Sequence, residues 1–223
     1  MALVQSQQIT GNGLGTLVPG PLLFQGAGSD KSGNRKTERR RNLNHELENT
    51  IALLERTPAA LDALLRGLPA AWTENNEGGD TWNAPGVLAH LIHCEHEDWM
   101  PRLRMILEFG EGRTFTPLDR EGSARAGAGK TLEQLLDEFA QQRAKNLAEL
   151  RALELNPEDM SRRGTHPTFG SVTLSEFLAT WAAHDLTHLH QISRIMAHQY
   201  RDAVGPWVRF LGVMQCAGHS SQA

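Results

Sequence analysis

From Asn42 onward the apolar positions repeat with the period of a helix. Leu43, Leu47, Ile51 and Leu54 follow the i, i+4, i+8, i+11 spacing that lines one buried face. Thr57-Pro58 predicts a restart, with Thr57 as the cap and Pro58 in the first helical position, and Leu61, Leu64, Leu65 and Leu68 continue the stripe. The polar, Gly-containing stretch 73–80 reads as a loop. Asn83 then caps a second long helix with Pro85 in its first turn, predicted to run to about Glu108 with a kink or break at Pro101. A connection rich in Gly, Pro and charge spans 110–130, long for a compact domain. Thr131 and Gln134 form a capping box for a third helix, whose apolar side is Leu132, Leu135, Leu136, Phe139, Leu147 and Leu150. Residues 156–171 read as a loop. A second capping box, Thr173 with Glu176, opens a fourth helix that runs towards Tyr200 and stops before Gly205-Pro206. No strand and no internal repeat stands out. Amphipathic helices joined in this way predict an all-α fold, a four-helix bundle.

Composition narrows the class. A chain of 223 residues is long enough to bury a real core as one domain, and 39% hydrophobic with 22% charged residues is ordinary for a globular protein. No apolar stretch reaches the ~20 residues needed to cross a bilayer, so no membrane partner is expected. With Cys94 and Cys216 alone there is no disulfide framework, and a cytoplasmic location is the expectation. The net charge of −4 is unevenly spread. Residues 1–41 carry six basic side chains against Asp30 and Glu38, which leaves an acidic remainder. An acidic body argues against nucleic acid as a partner of the folded part, because such binding rests on neutralising phosphates. The first 29 residues have no charged side chain and no amphipathic period, and they lack the pattern of a secretory signal. The expected division is a disordered N-terminal tail over 1–41, a bundle over 42–215 and a flexible C-terminus over 216–223.

Candidate chemistry concentrates in the histidines, seven of which lie in the windows 90–96 and 184–198. His184 and His188 are ~40° apart around a helix and one turn apart along it, so both imidazoles can reach one cation without backbone strain. With His184 at zero, Phe177 and Ile195 fall at ~20°, Trp181 at ~60°, and Leu174 and Ile192 at ~80°. The pair therefore points into the apolar stripe. Burying two imidazoles costs several kcal/mol unless each finds a partner, and a shared metal satisfies both. The alternative account is two core histidines hydrogen-bonded to neighbouring helices. In the earlier window His90, His93, Cys94 and Glu97 share an arc of ~100°, and each of them is a candidate third ligand. Cys94 would favour a softer, zinc-type site and Glu97 a harder one. His190, at ~240°, faces outward.

The succession Thr81-Trp82-Asn83-Ala-Pro-Gly-Val-Leu-Ala-His90-Leu, followed downstream by Trp181-x-x-His184-x-x-x-His188, resembles the DinB/YfiT-like superfamily of metalloenzymes. The likeness extends over roughly 42–213, including the ending Tyr200-Arg-Asp-Ala-Val-Gly-Pro-Trp207. It implies a four-helix bundle of DinB/YfiT type, up-down-down-up with a long crossover connection, which suits the 110–130 segment. It also implies that the three metal-binding histidines are His90, His184 and His188, and since members of the family often dimerise, a homodimer is the partner it suggests. Characterised members include transferases and isomerases that use bacillithiol or mycothiol. Where the family's helix often has a further His three residues beyond the second ligand, this chain has Gln191, and Cys94 has no clear counterpart.

Three neutral imidazoles leave a divalent ion (zinc, nickel or iron) its charge and open coordination positions. The expected function is transfer of a low-molecular-weight thiol, as second cofactor, to a small electrophilic substrate. The rival readings are a metal-dependent hydrolase using metal-bound hydroxide, and a non-catalytic metal-binding module closed by an extra ligand such as His93 or Glu97. Glu97, Asp98, Gln191 and His166 are the candidates for orienting ligands or moving protons, with Glu97, Gln191 and His166 as the expected catalytic side chains.

Overall fold

The computed structural model describes residues 47–119 and 121–216. The tail expected over 1–41, Leu43 with the first turn of the expected domain, and the chain end beyond 216 lie outside the described residues.

The first long arm is a helix over 47–54 (α1) that passes through Glu55 into α2 (Arg56–Leu65) almost without interruption. Glu55 N–H donates to Ile51 O at 2.9 Å, and Glu55 itself has helical φ and ψ of −65° and −25°. The cap expected at Thr57 is therefore absent, and Thr57 is buried inside the helix. Pro58 is tolerated because the carbonyl it cannot serve, Leu54 O one turn back, accepts instead from Arg143 Nη1 at 2.9 Å. After a short α3 (Ala70–Thr73), Asn83 caps α4 (Ala84–Glu97), its side chain accepting from Gly86 N–H. The helix then breaks at Asp98 (φ −109°, ψ −68°) and resumes as α5 (Trp99–Phe109). Pro101 accounts for the break, since its ring excludes the carbonyl four residues earlier.

The long connection is not featureless. It carries α6 (Gly122–Gly127), which packs along α4. Both expected capping boxes form, Thr131 with Gln134 opening α7 (Leu132–Ala152) and Thr173 with Glu176 opening α9 (Leu174–His198). Between them lies α8 (Pro157–Met160) and, where a loop is expected, an antiparallel hairpin of β1 (Arg163–His166) and β2 (Gly170–Thr173). Its strands show no alternating apolar face, which hides them from a periodicity search. What seats the hairpin is contact: a Cβ on Gly164 would come within 2.8 Å of Ile106 Cγ1 and Phe115 Cζ, so only glycine lets β1 lie this close to the core. Because Thr173 both ends β2 and caps α9, the hairpin fixes where the last helix begins. A 3₁₀ turn (Gly205–Phe210) and α10 (Gly212–Gln215) follow. No helix of the described residues is long and apolar enough to cross a membrane.

The four long arms bury two separate apolar clusters. One gathers Leu54, Trp99, Leu103, Phe115, Leu147 and Trp181, the other Leu61, Leu65, Leu88, Phe139, Ile192 and Ile195. Buried polar side chains from α4, α7 and α9 belong to neither cluster. Among them are Glu95, Arg143, Asn146, Asp185, His188 and Gln191.

Candidate metal centre

Helix α4 supplies His90 and α9 supplies His184 and His188. Each position follows from the helical phase that the caps at Asn83 and Thr173 set. His184 Nε2 lies 3.1 Å from His90 Nε2 and 3.1 Å from His188 Nε2. The three ligand nitrogens fall within 4.8 Å of one another. Nitrogens ~2.0–2.1 Å from a common ion are about 2.9–3.4 Å apart at bond angles between octahedral and tetrahedral, so the two short separations match shared coordination. Trp82 packs against the His90 ring at 4.8 Å between centroids, and Trp99 meets His184 edge-on at 5.1 Å.

Electrostatics agree with that geometry. Burial pulls His90 down to about 3, with His188 and His93 adding to the effect, and pulls His184 down to about 2. His188 is lowered as well, chiefly by burial and against the opposing hydrogen bond to Gln191. All three rings are therefore neutral at pH 7, the form a metal requires. His188 Nδ1 faces Gln191 Oε1 at 2.8 Å. An amide oxygen only accepts, so Nδ1 carries the proton and Nε2 presents a lone pair to its neighbours. His184 Nδ1 is buried without a partner among the described residues. Three converging Nε2 atoms cannot all satisfy one another with one proton per ring, whereas a single cation satisfies them together. The residues present fit a divalent metal.

The structure separates the remaining sequence candidates. Gln191 is at the site, bonded to His188. Cys94 Sγ is 3.6 Å from His90 Nε2, and burial holds its thiol well above the usual range, with Asp98 and Glu95 adding to the shift. His93 Nε2 donates to Asp119 O at 3.0 Å, away from the cluster. Glu97 is exposed and lines a different cavity of about 650 Å³ with His93, His96 and Arg102. Asp98 is buried against Arg102 Nη1 at 2.6 Å. His166 sits at the tip of the hairpin, its Nδ1 accepting from Thr168 N–H and Phe169 N–H and its ring stacked on Phe169. Glu97 and His166 are not brought to the three histidines. The helix break explains Glu97: it is the last residue of α4, after which the chain turns at Asp98. Local amide bonds explain His166.

Two features beside the site are absent from the sequence reading. Ser123 Oγ on α6 lies 3.3 Å from His90 Nδ1. Its position in a Gly- and charge-rich connection gives no signal. The second is a buried ion network. Arg143 Nη1 and Nη2 meet Asp185 Oδ2 and Oδ1 at 2.6 and 2.9 Å, while Nη2 and Nε meet Glu95 Oε1 at 2.8 and 3.1 Å. Asn146 Nδ2 donates to Glu95 Oε2 at 2.9 Å and Trp181 Nε1 to Glu95 Oε1 at 3.1 Å. Burial raises the Glu95 carboxyl and Arg143 opposes it. Here a signal existed: Asp185, at ~100° on the wheel used above, lies inside the apolar stripe rather than outside it.

The fold and the site together define a helical bundle in which three histidines from two of its arms converge on one point. The chain belongs to the DinB superfamily, whose model matches residues 53–192. Among solved structures it is similar to YfiT from Bacillus subtilis, described as a probable metal-dependent hydrolase with an unusual four-helix bundle topology. That match has 17% identity and a TM-score of 0.58 and covers 81% of this chain and 94% of the other. At that identity the likeness speaks for the fold. No curated protein matches the chain.

Proposed function

We propose that the chain is a metal-dependent enzyme acting on a small molecule, with His90, His184 and His188 as the ligands of one divalent ion. The observation that carries this reading is the convergence of three neutral Nε2 atoms, two of the separations being 3.1 Å, with no fourth protein ligand among the described residues. His93, which could have closed the site, is bound to the Asp119 carbonyl, and Glu97 is exposed on another cavity. Three protein ligands with an open position are the mark of a catalytic rather than a structural site. A divalent ion held there supplies Lewis acidity, lowering the pKa of a thiol or water that binds beside it.

Within that class, transfer of a low-molecular-weight thiol to a small electrophile is the leading reading. No carboxylate of the described residues joins the three histidines. The described residues thus place no carboxylate at the cluster to act as the general base or acid that helps a hydrolase activate water and protonate a leaving group. A thiol needs less help, because its unperturbed pKa of ~8.5 is already close to neutrality. In this reading Gln191 holds the His188 proton on Nδ1, and Trp82 and Trp99 pack against the His90 and His184 rings. Hydrolysis is the second reading, favoured by the description of YfiT. Metal-loaded protein assayed with a panel of electrophiles, with and without thiol, separates the two. Conjugation that requires thiol supports transfer, turnover without thiol supports hydrolysis, and inactivity in both arms counts against an enzyme.

A further inference from the structure

We infer that Ser123 is a positioning residue for the metal centre, and that α6 is the clip that holds it there. The inference rests on the three-histidine reading above and assigns a role to a segment outside the bundle's four arms. His90 Nδ1, on the far side of the ring from its neighbours, lies 3.3 Å from Ser123 Oγ. A ring that ligates through Nε2 carries its proton on Nδ1, and Ser123 Oγ is the acceptor for it. His188 has the same arrangement with Gln191 Oε1, whereas His184 Nδ1 has no partner among the described residues. Two of the three rings are therefore oriented from behind, one from α9 itself and one from α6.

The placement of Ser123 is not left to a flexible loop. Its neighbour Gly122 lies directly over the His93 ring, where a Cβ would sit 2.1 Å from His93 Cε1. At the other end of α6, a Cβ on Gly127 would be 3.0 Å from Ala89 Cβ. His93 Nε2 in turn donates to Asp119 O at 3.0 Å, just before α6 begins. Glycine at both ends thus brings α6 to closest approach on α4, and His93 pins the segment leading into it. With the backbone seated at that depth, a serine side chain is long enough to reach His90. A cavity of about 340 Å³ bordered by Ser123, Trp82, Ala89 and Lys130 lies alongside, with room for one added methyl group.

Partners of this kind typically contribute 10–100-fold in metal affinity. The test is the dissociation constant for zinc of the full chain, measured by chelator competition, for wild type, Ser123→Ala and Ser123→Thr. The expected result is a 10-fold or greater weakening in Ser123→Ala with unchanged helicity, and recovery to within about threefold in Ser123→Thr, which keeps the hydroxyl. A Ser123→Ala protein that binds zinc as wild type does overturns the inference. So does a loss that Ser123→Thr fails to restore, since that would be a packing effect. Wild-type protein that binds no zinc at all fails the three-histidine reading instead, so the two failures are distinguishable.

Discussion

Arg143 is a residue whose loss should be costly. Its side chain is 1% exposed and those of Glu95 and Asp185 are 0% exposed, so the three charges meet without water. The guanidinium donates to both carboxylates and to Leu54 O, the carbonyl that Pro58 leaves unserved. Burial by itself would lower Arg143, and the bonds to Asp185 and Glu95 outweigh it, so the side chain stays charged. In Arg143→Met the volume is nearly kept while two buried carboxylates lose their counter-charge and the Leu54 carbonyl loses its donor. Breaking a buried pair by removing one partner costs about 3–5 kcal/mol. With a urea slope of about 2 kcal/mol/M, the midpoint should fall by roughly 1.5–2.5 M. Combining Arg143→Met with Glu95→Gln and Asp185→Asn removes the stranded charges and should recover at least half of that loss. Urea titration followed by far-UV circular dichroism measures both. A single variant that loses less than about 1 kcal/mol, or a triple variant as unstable as the single, would refute the view that the network is a desolvated ionic unit. Because Asp185 is the residue after His184, the single variant should also weaken metal binding.

Acid is the second lever. The unfolded chain protonates its histidines near their ordinary ~6.5, while burial lowers His90 to about 3 and His184 to about 2, so below pH 6.5 the unfolded state binds more protons. The metal-free protein should lose about 1.4 kcal/mol per pH unit for each of these rings as pH falls from 6.5 towards 3, and urea midpoints that do not change between pH 7 and pH 5 would contradict this. Thr173→Ala removes the side-chain acceptor for Glu176 N–H at the start of α9 and should cost about 1 kcal/mol, read as a lowered urea midpoint, with an unchanged midpoint as the opposing result. Glu97→Ala should leave zinc affinity within about twofold of wild type, because Glu97 lines a cavity that the three histidines do not. A tenfold loss would place it at the site after all.

Much of the bundle can be read from local signals. The caps at Asn83, Thr131 and Thr173 and the stripes that follow them depend only on neighbouring residues, and the helices start where those residues indicate. The failures in reading the fold involve distant partners. Thr57-Pro58 looks like a helix start, but Arg143, far along the chain, donates to the orphaned Leu54 carbonyl and lets the helix continue. The hairpin at 163–173 is held by Gly164 against Ile106 and Phe115, and no alternation in its strands betrays it. The H-x-x-x-H spacing indicates two of the three clustered histidines, whereas the helical arc around His90 leaves four candidates open. The family resemblance singles out His90, and the packing of α4 on α9 brings its ring to the other two. Glu97 shares the arc with His90, but the break at Asp98 comes immediately after it. Asp185, Arg143 and Asn146 interrupt apolar stripes, and the general rule that buried charges are paired would have flagged them. Ser123 had no such flag, because its role depends on how closely two glycines let α6 approach α4.

The central claim concerns coordination, and X-ray absorption spectroscopy of untagged, zinc-loaded full-length protein, with elemental analysis, tests it most directly. One zinc per chain bound by three imidazole nitrogens at ~2.0–2.1 Å and at least one exchangeable light-atom ligand is the predicted result, with the zinc lost in His184→Ala at unchanged helicity. A site closed by four protein ligands, or stoichiometric zinc retained by His184→Ala, would contradict the account.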